Sequence, residues 1–273
     1  FKSLNSKAYH RTGIAFLNHD ERTEKWIEKL KMLNRDDLFI FSDEKNATGY
    51  ENFKGVIFNH GGYLDPVKIN ECLIKHKNIT VNKNHEFKGF NSTPSSVTLH
   101  FQDSKELTFD YLVLAHGAGL INFSNYLTLS KGQLAAAKIS DSIHMPINSN
   151  GYILPLKDGV NWIGSSYENQ FQNMDINKNK LQEMIEFQSD QFNLKDAQNE
   201  HDSKAQIRVI SKDKLPISGQ YKDNKNVFLL GGLGSRGFCY GPILGDHIAS
   251  LISNNVSPLE KIVAESLQPN RFK

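Results

Sequence analysis

The chain has 273 residues, of which 38% are hydrophobic and 23% charged, enough for one large domain or two smaller ones. Its 32 basic and 30 acidic side chains leave a net charge of +2, so no global field argues for nucleic acid or a membrane surface. The cysteines, Cys72 and Cys239, lie in no metal or disulfide spacing, the histidines are scattered singly, and no apolar run reaches the length of a membrane span. These totals predict a cytoplasmic protein without a structural metal or a membrane partner. The lysines at 25, 29 and 31 and at 178 and 180 read as solvated helix surface. The chain opens on Phe1-Lys2-Ser3-Leu4 with no initiating methionine, and is expected to be a piece of a longer protein.

In chain order, Tyr9–Asn18 reads as a strand with Gly13 inside it. Asp20 is placed to cap a helix over Glu21–Leu33, with Trp26, Leu30 and Leu33 at helical spacing. Leu38–Phe41 is a short apolar run closed by Ser42-Asp43, and Gly55–Asn59 a further strand. In GGYLDP, Asp65 at the N-cap and Pro66 at the first helical position start a helix through Lys77, expected to bury Val67, Leu73 and Ile74. Ile79–Gly89 reads as strand and turn, and Val97–Phe101 as a half-exposed strand. After the turn at Asp103-Ser104, Phe109–Ala115 is almost continuously apolar, the pattern of a strand covered on both faces. It ends in small residues, Ala115-His116-Gly117-Ala118-Gly119. Gln133–Ile139, Tyr152–Leu156 and Asn161–Ser165 read as strands of a more antiparallel region. Leu181, Met184 and Ile185 mark an amphipathic helix. Ile207–Ile210 is a strand, with a turn at Ser211–Lys214.

Asn226–Ser253 carries the densest signal. Val227–Leu230 reads as a buried strand, the glycines at 231, 232, 234 and 237 as a loop, and the residues after Pro242 as a helix with Leu244, Ile248, Leu251 and Ile252 on one face. Residues without Cβ let a backbone lie against a flat or anionic ligand and adopt positive φ. Gly232–Gly237 matches GxGxxG, but the dinucleotide fingerprint needs a following parallel strand ending in an acidic residue, and none follows. Buried strands ending in glycine at 109–119 and 227–234 bracket a strand-rich middle. The expected architecture is an α/β cofactor domain whose chain leaves to build a second, antiparallel-sheet domain and then returns. Ligands in open α/β sheets sit beyond the carboxyl ends of the strands, where both glycine clusters lie.

The order of these pieces resembles the FAD-dependent D-amino-acid-oxidase/glycine-oxidase superfamily. The stretches that carry the resemblance are GGYLDP and its helix (61–77), FDYLVLAHGA (109–118), KGQL (131–134), GYILP (151–155), WIGSSYE (162–168), IRVISKDKLPISG (207–219) and LLGGLGSRGFCYGP (229–242). GLGSRG, with the terminal Leu267-Gln268-Pro269-Asn270-Arg271-Phe272, is more specifically similar to the oxidoreductase half of bifunctional tRNA wobble-uridine enzymes. The superfamily's opening βαβ unit, with the true GxGxxG and its ribose-binding acid, is absent from this chain. The usual arginine before Gly-Gln is Lys131 here, which keeps the charge but not the planar fork.

The resemblance implies a three-layer FAD-binding domain, incomplete at its N-terminus (61–120 and 205–273), and a substrate domain (1–60 and 121–204). It implies FAD-dependent oxidation of a C–N bond, with Arg208 taking a substrate carboxylate and Tyr152 facing the substrate. Gly232, Gly234, Ser235, Arg236 and Gly237 would line the flavin, although Arg236 could equally face a tRNA phosphate or an internal acid. Ala115, Gly117 and Ala118 would pass beside the ribityl and pyrophosphate portion, Phe87 would give a backbone contact to adenine, and Gln133 would lie near the ring. The alternative for Arg208 is a surface salt bridge, for Tyr152 a hydrogen bond to a backbone carbonyl, and for the glycine and alanine clusters tight packing alone. Two activities fit: removal of the carboxymethyl group from carboxymethylaminomethyl-(2-thio)uridine in tRNA, with a fused or separate methyltransferase as partner, or oxidation of glycine or another small amine. A non-catalytic binding domain is the third class.

Overall fold

The computed structural model describes residues 8–43, 47–50, 53–138, 142–155, 157–191, 198–222 and 224–272. The opening Phe1–Leu4 and the expected strand ends at Ile139 and Leu156 lie outside these residues. The chain forms two compact units: Phe1–Val81, Gly132–Tyr167 and Gln172–Gln206 in the first, and Asn82–Lys131, Glu168–Phe171 and Ile207–Lys273 in the second. This partition differs from the sequence-based one in placing 61–81 and 205–206 in the first unit and 121–131 and 168–171 in the second.

The first unit is built on a mixed sheet. Ile14–Leu17 pairs antiparallel with Gly55–Phe58, which pairs antiparallel with Phe39–Ser42. On its other side Ile147–Ser149 runs parallel to it, followed antiparallel by Gly151–Ile153 and Asn161–Gly164. Leu127–Lys138 and Gln198–Ser211, of which 127–131 and 207–211 belong to the second unit, complete an eight-stranded order. The single strand expected over Tyr9–Asn18 is two, Tyr9–His10 and Ile14–Leu17, because Gly13 takes φ +82° between them.

Helix Glu21–Lys31 starts where Asp20 accepts a hydrogen bond from the Thr23 N–H at 2.7 Å. It buries Ile27 against Phe39 and Val56, and Leu33 lies beyond its end, exposed. Helix Pro66–Ile74 is capped by Asp65 as expected but ends before Lys77. It buries Ile69, whereas Val67, Leu73 and Ile74 are exposed. At ~100° per residue, Val67 and Ile74 stand on the opposite face from Ile69. Helix Lys178–Gln191 buries Leu181 and Ile185, one turn apart, on Ala135, Ala137 and Ile163.

The second unit holds two small sheets. Phe87–Ser92, Val97–Phe101 and Glu106–Phe109 form an antiparallel one. In the other, Val227–Gly231 pairs antiparallel with Ile217–Gln220 and parallel with Leu112–Leu114. The apolar run Phe109–Ala115 is therefore not one doubly covered strand. It breaks between two sheets, and Phe109, Tyr111 and Val113 are exposed, while Leu114 is buried with Val227 and Leu229. Alternation along Leu112–Leu114 sends Val113 to the face opposite Leu114, and that face is left exposed.

Helix Gly237–Ser253 begins five residues before Pro242, which lies inside it. The Arg236 carbonyl closes its first turn, accepting from both Cys239 N and Tyr240 N at 3.0 Å. Pro242 forfeits only a bond to the Phe238 carbonyl, near the exposed end. The chain finishes with helix Lys261–Leu267 and the turn Pro269–Arg271.

Candidate active site

The loop after Val227–Gly231 is shaped by two backbone conformations that disfavour side chains: Gly232 has φ +66° and Gly234 φ +55°. A Cβ on Gly237 would meet only a Leu233 side-chain carbon at 3.9 Å, and one on Gly241 would meet nothing within 4 Å. Crowding within the chain therefore does not explain the glycines at 237 and 241, and the start of helix Gly237–Ser253 presents bare backbone. Ser235 and Arg236 are exposed beside it, and Arg236 Nη1 donates to the Tyr240 hydroxyl at 3.3 Å.

Arg208 belongs to the same place. The Gly234 N–H donates to the Val209 carbonyl at 2.9 Å, and Ile210 bridges Leu233. These contacts lay the strand end along the glycine loop. Val209 points into the core, so Arg208 and Ile210 share the other face. The Ile210 side chain stands 3.8 Å from where a Gly234 Cβ would be. The half-buried Arg208 is thus carried on the strand face that looks onto the loop.

Ala115 and Gly117 are exposed, and Ala118 half-buried, after Leu112–Leu114. Gly117 has φ +61° and a Cβ there would meet nothing within 4 Å, while Gly119 is covered by the His116 ring. Phe87 packs in an aromatic cluster, 5.8 Å from His116, 6.0 Å from Phe123 and 6.3 Å from Phe101 between ring centroids. Ten of the twelve residues singled out from sequence therefore fall in the second unit.

Tyr152 and Gln133 lie in the first. Tyr152 sits directly across from Gly164, and its ring occupies the space a Cβ there would need, with Cζ and the hydroxyl 2.6 Å from that point. Gln133 is fully buried: its Oε1 accepts from Asn177 N at 2.7 Å and its backbone N–H donates to Ser166 Oγ at 2.9 Å. That amide ties a strand to the start of helix Lys178–Gln191.

Two features escaped the sequence reading. Lys131 and Glu168 form a buried ion pair, 3% and 4% exposed, with Nζ and Oε2 3.8 Å apart. Their backbones exchange two hydrogen bonds of 2.9 Å. Only the lysine in KGQL hinted at it, because its partner lies 37 positions on. Ser130 is 1% exposed, and among the described residues its hydroxyl has no hydrogen-bond partner.

His247 is buried in helix Gly237–Ser253, with Nδ1 2.7 Å from Ser257 Oγ, and burial pushes its pKa down. Ser257 Oγ also accepts from Leu259 N. Among the described residues no cluster of His, Cys, Asp and Glu could hold a metal, and no helix is long and apolar enough to cross a membrane.

The profile of the FAD dependent oxidoreductase (DAO) family matches residues 3–251. The chain belongs to that family, whose cofactor is FAD. Among curated relatives it is 23% identical, over 95% of its length, to the tRNA 5-methylaminomethyl-2-thiouridine biosynthesis bifunctional protein MnmC of Shewanella baltica (strain OS155), and 24% identical over 95% to that of Actinobacillus pleuropneumoniae. The chain spans less than half of these relatives, 44% and 46%. Among solved structures it superposes on glycine oxidase from Bacillus cereus with TM-score 0.76 at 17% identity, covering 92% of this chain and 76% of that one. Iminodiacetate oxidase from Chelativorans gives TM-score 0.79 at 15% identity, covering 98% and 79%. The mixed α/β fold is therefore that of this family. Its cofactor is compatible with the second unit, where positive-φ glycines and bare helix-start backbone offer a surface to a flat, electron-rich group.

Proposed function

We propose that this chain is the oxidoreductase part of an enzyme that oxidises the C–N bond of a carboxymethylamine, removing the carboxymethyl group from carboxymethylaminomethyl-(2-thio)uridine at the tRNA wobble position. The observation that supports the reading is the strand of Arg208 laid along the glycine loop, since a guanidinium fork suits a carboxylate and the loop suits the cofactor. FAD, when bound, supplies the two-electron oxidant for the carbon beside the amine. The protein's own work is orientation. Arg208 clamps the carboxylate and thereby fixes the adjacent C–H, and Tyr152 is assigned to the substrate side. Gly232, Gly234, Ser235, Arg236 and Gly237 hold the cofactor from one side, where helix-start N–H groups favour negative charge. Ala115, Gly117, Ala118 and the Phe87 backbone extend that surface. Gln133, expected near the ring, is buried in the first unit, where its side chain accepts from Asn177 N and anchors its strand. Water then hydrolyses the imine, releasing the aminomethyl uridine and glyoxylate.

The second unit is read as the core of the FAD-binding domain and the first as the substrate domain, working in the cytoplasm with a fused or separate methyltransferase. The curated relatives are tRNA 5-methylaminomethyl-2-thiouridine biosynthesis proteins, which supports tRNA as substrate. The likeness to glycine oxidase favours a second reading, oxidation of free glycine or a similar amine.

The test uses the full-length protein, its released cofactor identified chromatographically. It is then supplied with tRNA bearing the carboxymethylaminomethyl group and, separately, with glycine. Glyoxylate from the tRNA alone, with affinity falling steeply as salt rises, supports the first reading. Turnover of glycine alone selects the second. No bound FAD overturns both.

A further inference from the structure

The strand Leu127–Lys138 neighbours Gln198–Ser211 in the sheet, and two hydrogen bonds fix their register. Lys212 N donates to the Tyr126 carbonyl at 2.9 Å, and Thr128 Oγ1 donates to the Ile210 carbonyl at 3.2 Å. Residue 126 stands opposite 212 and 128 opposite 210, so the pair is antiparallel and Ser130 stands opposite Arg208. Residues directly opposite project to the same face, with Cβ atoms ~5 Å apart. Ser130 therefore shares with Arg208 and Ile210 the face that meets Gly234.

Its hydroxyl is the anomaly. Ser130 is 1% exposed and its Oγ finds no partner among the described residues. A buried hydroxyl left unpaired is a net cost that alanine in its place would avoid. The cost disappears when something arrives that accepts its proton. A carboxylate in the Arg208 fork uses one lone pair on each oxygen and keeps others, so it can take a further donor.

We propose that Ser130 is a second contact to the substrate carboxylate, its O–H donating to an oxygen that Arg208 already holds. The inference rests on the functional reading above and deepens it. The pair would read a carboxylate as a three-donor site and discriminate against amines that lack one, because such a ligand leaves the buried hydroxyl unanswered.

The test measures binding by calorimetry to the full-length, FAD-loaded protein, with acetate as a carboxylate-only probe and methylamine as an amine-only probe. Ser130→Ala is expected to weaken acetate about tenfold, the scale of one charge-assisted hydrogen bond, and to leave methylamine unchanged. Its melting temperature should be equal or higher, since the unpaired hydroxyl is gone. Unchanged acetate affinity in Ser130→Ala, alongside loss in Arg208→Ala, overturns the Ser130 contact and leaves the carboxylate reading standing. Equal weakening of both probes, or a lowered melting temperature, makes the role structural and also overturns it. Acetate affinity that survives Arg208→Ala overturns the functional reading beneath.

Discussion

Arg208 and Gly234 are 26 positions apart in sequence, yet one hydrogen bond, Gly234 N to the Val209 carbonyl, makes them neighbours. The glycine was singled out by its place in a glycine-rich loop, where φ is positive, and the arginine by the family resemblance; the strand that carries Arg208 has its other face in the core. Ser130 was not legible, since a serine before KGQL reads as any strand serine. Only the register and the missing partner distinguish it. Two predictions belong at this scale. Gly234→Val forces a β-branched residue to φ +55° and places its methyls toward Ile210, at a cost of about 1–2 kcal/mol or more. The variant should purify without FAD, seen as loss of the visible flavin spectrum, while far-ultraviolet circular dichroism is unchanged; a fully yellow variant contradicts the assignment of this loop. Arg208→Lys keeps the charge and loses the fork. KM for the carboxylated substrate should rise roughly 10- to 100-fold, with flavin content intact, in steady-state assays.

Elements were legible where local chemistry dominates and misread where a neighbour decides. Asp20 and Asp65 announce their helices because capping is a short-range bond. Phe109–Ala115 misled because continuous apolarity does not say which faces of a strand are covered or where one strand ends, and here the run breaks between two sheets and Val113 faces out. Pro242 misled because its penalty depends on its position within the helix, and the Arg236 carbonyl closes the first turn ahead of it. The Lys131–Glu168 pair tests this scale, since it joins a long strand to a distant segment by two backbone bonds and a buried charge pair. Lys131→Met removes the cation beside a buried carboxylate and should destabilise the protein by about 3–5 kcal/mol in urea unfolding. Adding Glu168→Gln should restore part of that loss, because the buried charge is then gone. Additive losses in the double variant would show that the two side chains do not act as a pair.

At the scale of the whole molecule, each apolar core belongs to one unit. Ile57, Ile147 and Ile153 cluster in the first, and Val97, Leu120, Val209 and Leu229 in the second. The terminal sequence PNRF, which served above only as a family mark, proves to close the second core. Arg271 donates through Nε and Nη2 to the two oxygens of Asp213 at 2.7 and 3.0 Å, and to the carbonyls of Leu215, Leu267 and Gln268. Phe272 stacks on Tyr126 at 4.5 Å between centroids. The Arg271 hydrogen bond is the main reason the Asp213 pKa is lowered to about 2. A carboxylate whose folded pKa lies below its unfolded value stabilises the fold above the unfolded pKa and loses that contribution as pH falls through the folded one. Here the window runs from about pH 4 down to about 2. His247, held neutral by burial, acts in the same direction at higher pH, withdrawing stability as pH falls below its ordinary value of 6.5. Arg271→Ala should therefore cost about 2–4 kcal/mol near neutral pH and flatten the acid-induced fall between pH 4 and 2. Because the core it closes is confined to the second unit, hydrogen exchange should quicken across Val227–Gly231 and Gly237–Ser253 and stay slow across Ile14–Leu17 and Gly55–Phe58. Equal loss of protection in both sets would show that the units unfold as one, and a variant as stable as the parent would reduce the Arg271–Asp213 clamp to a surface contact.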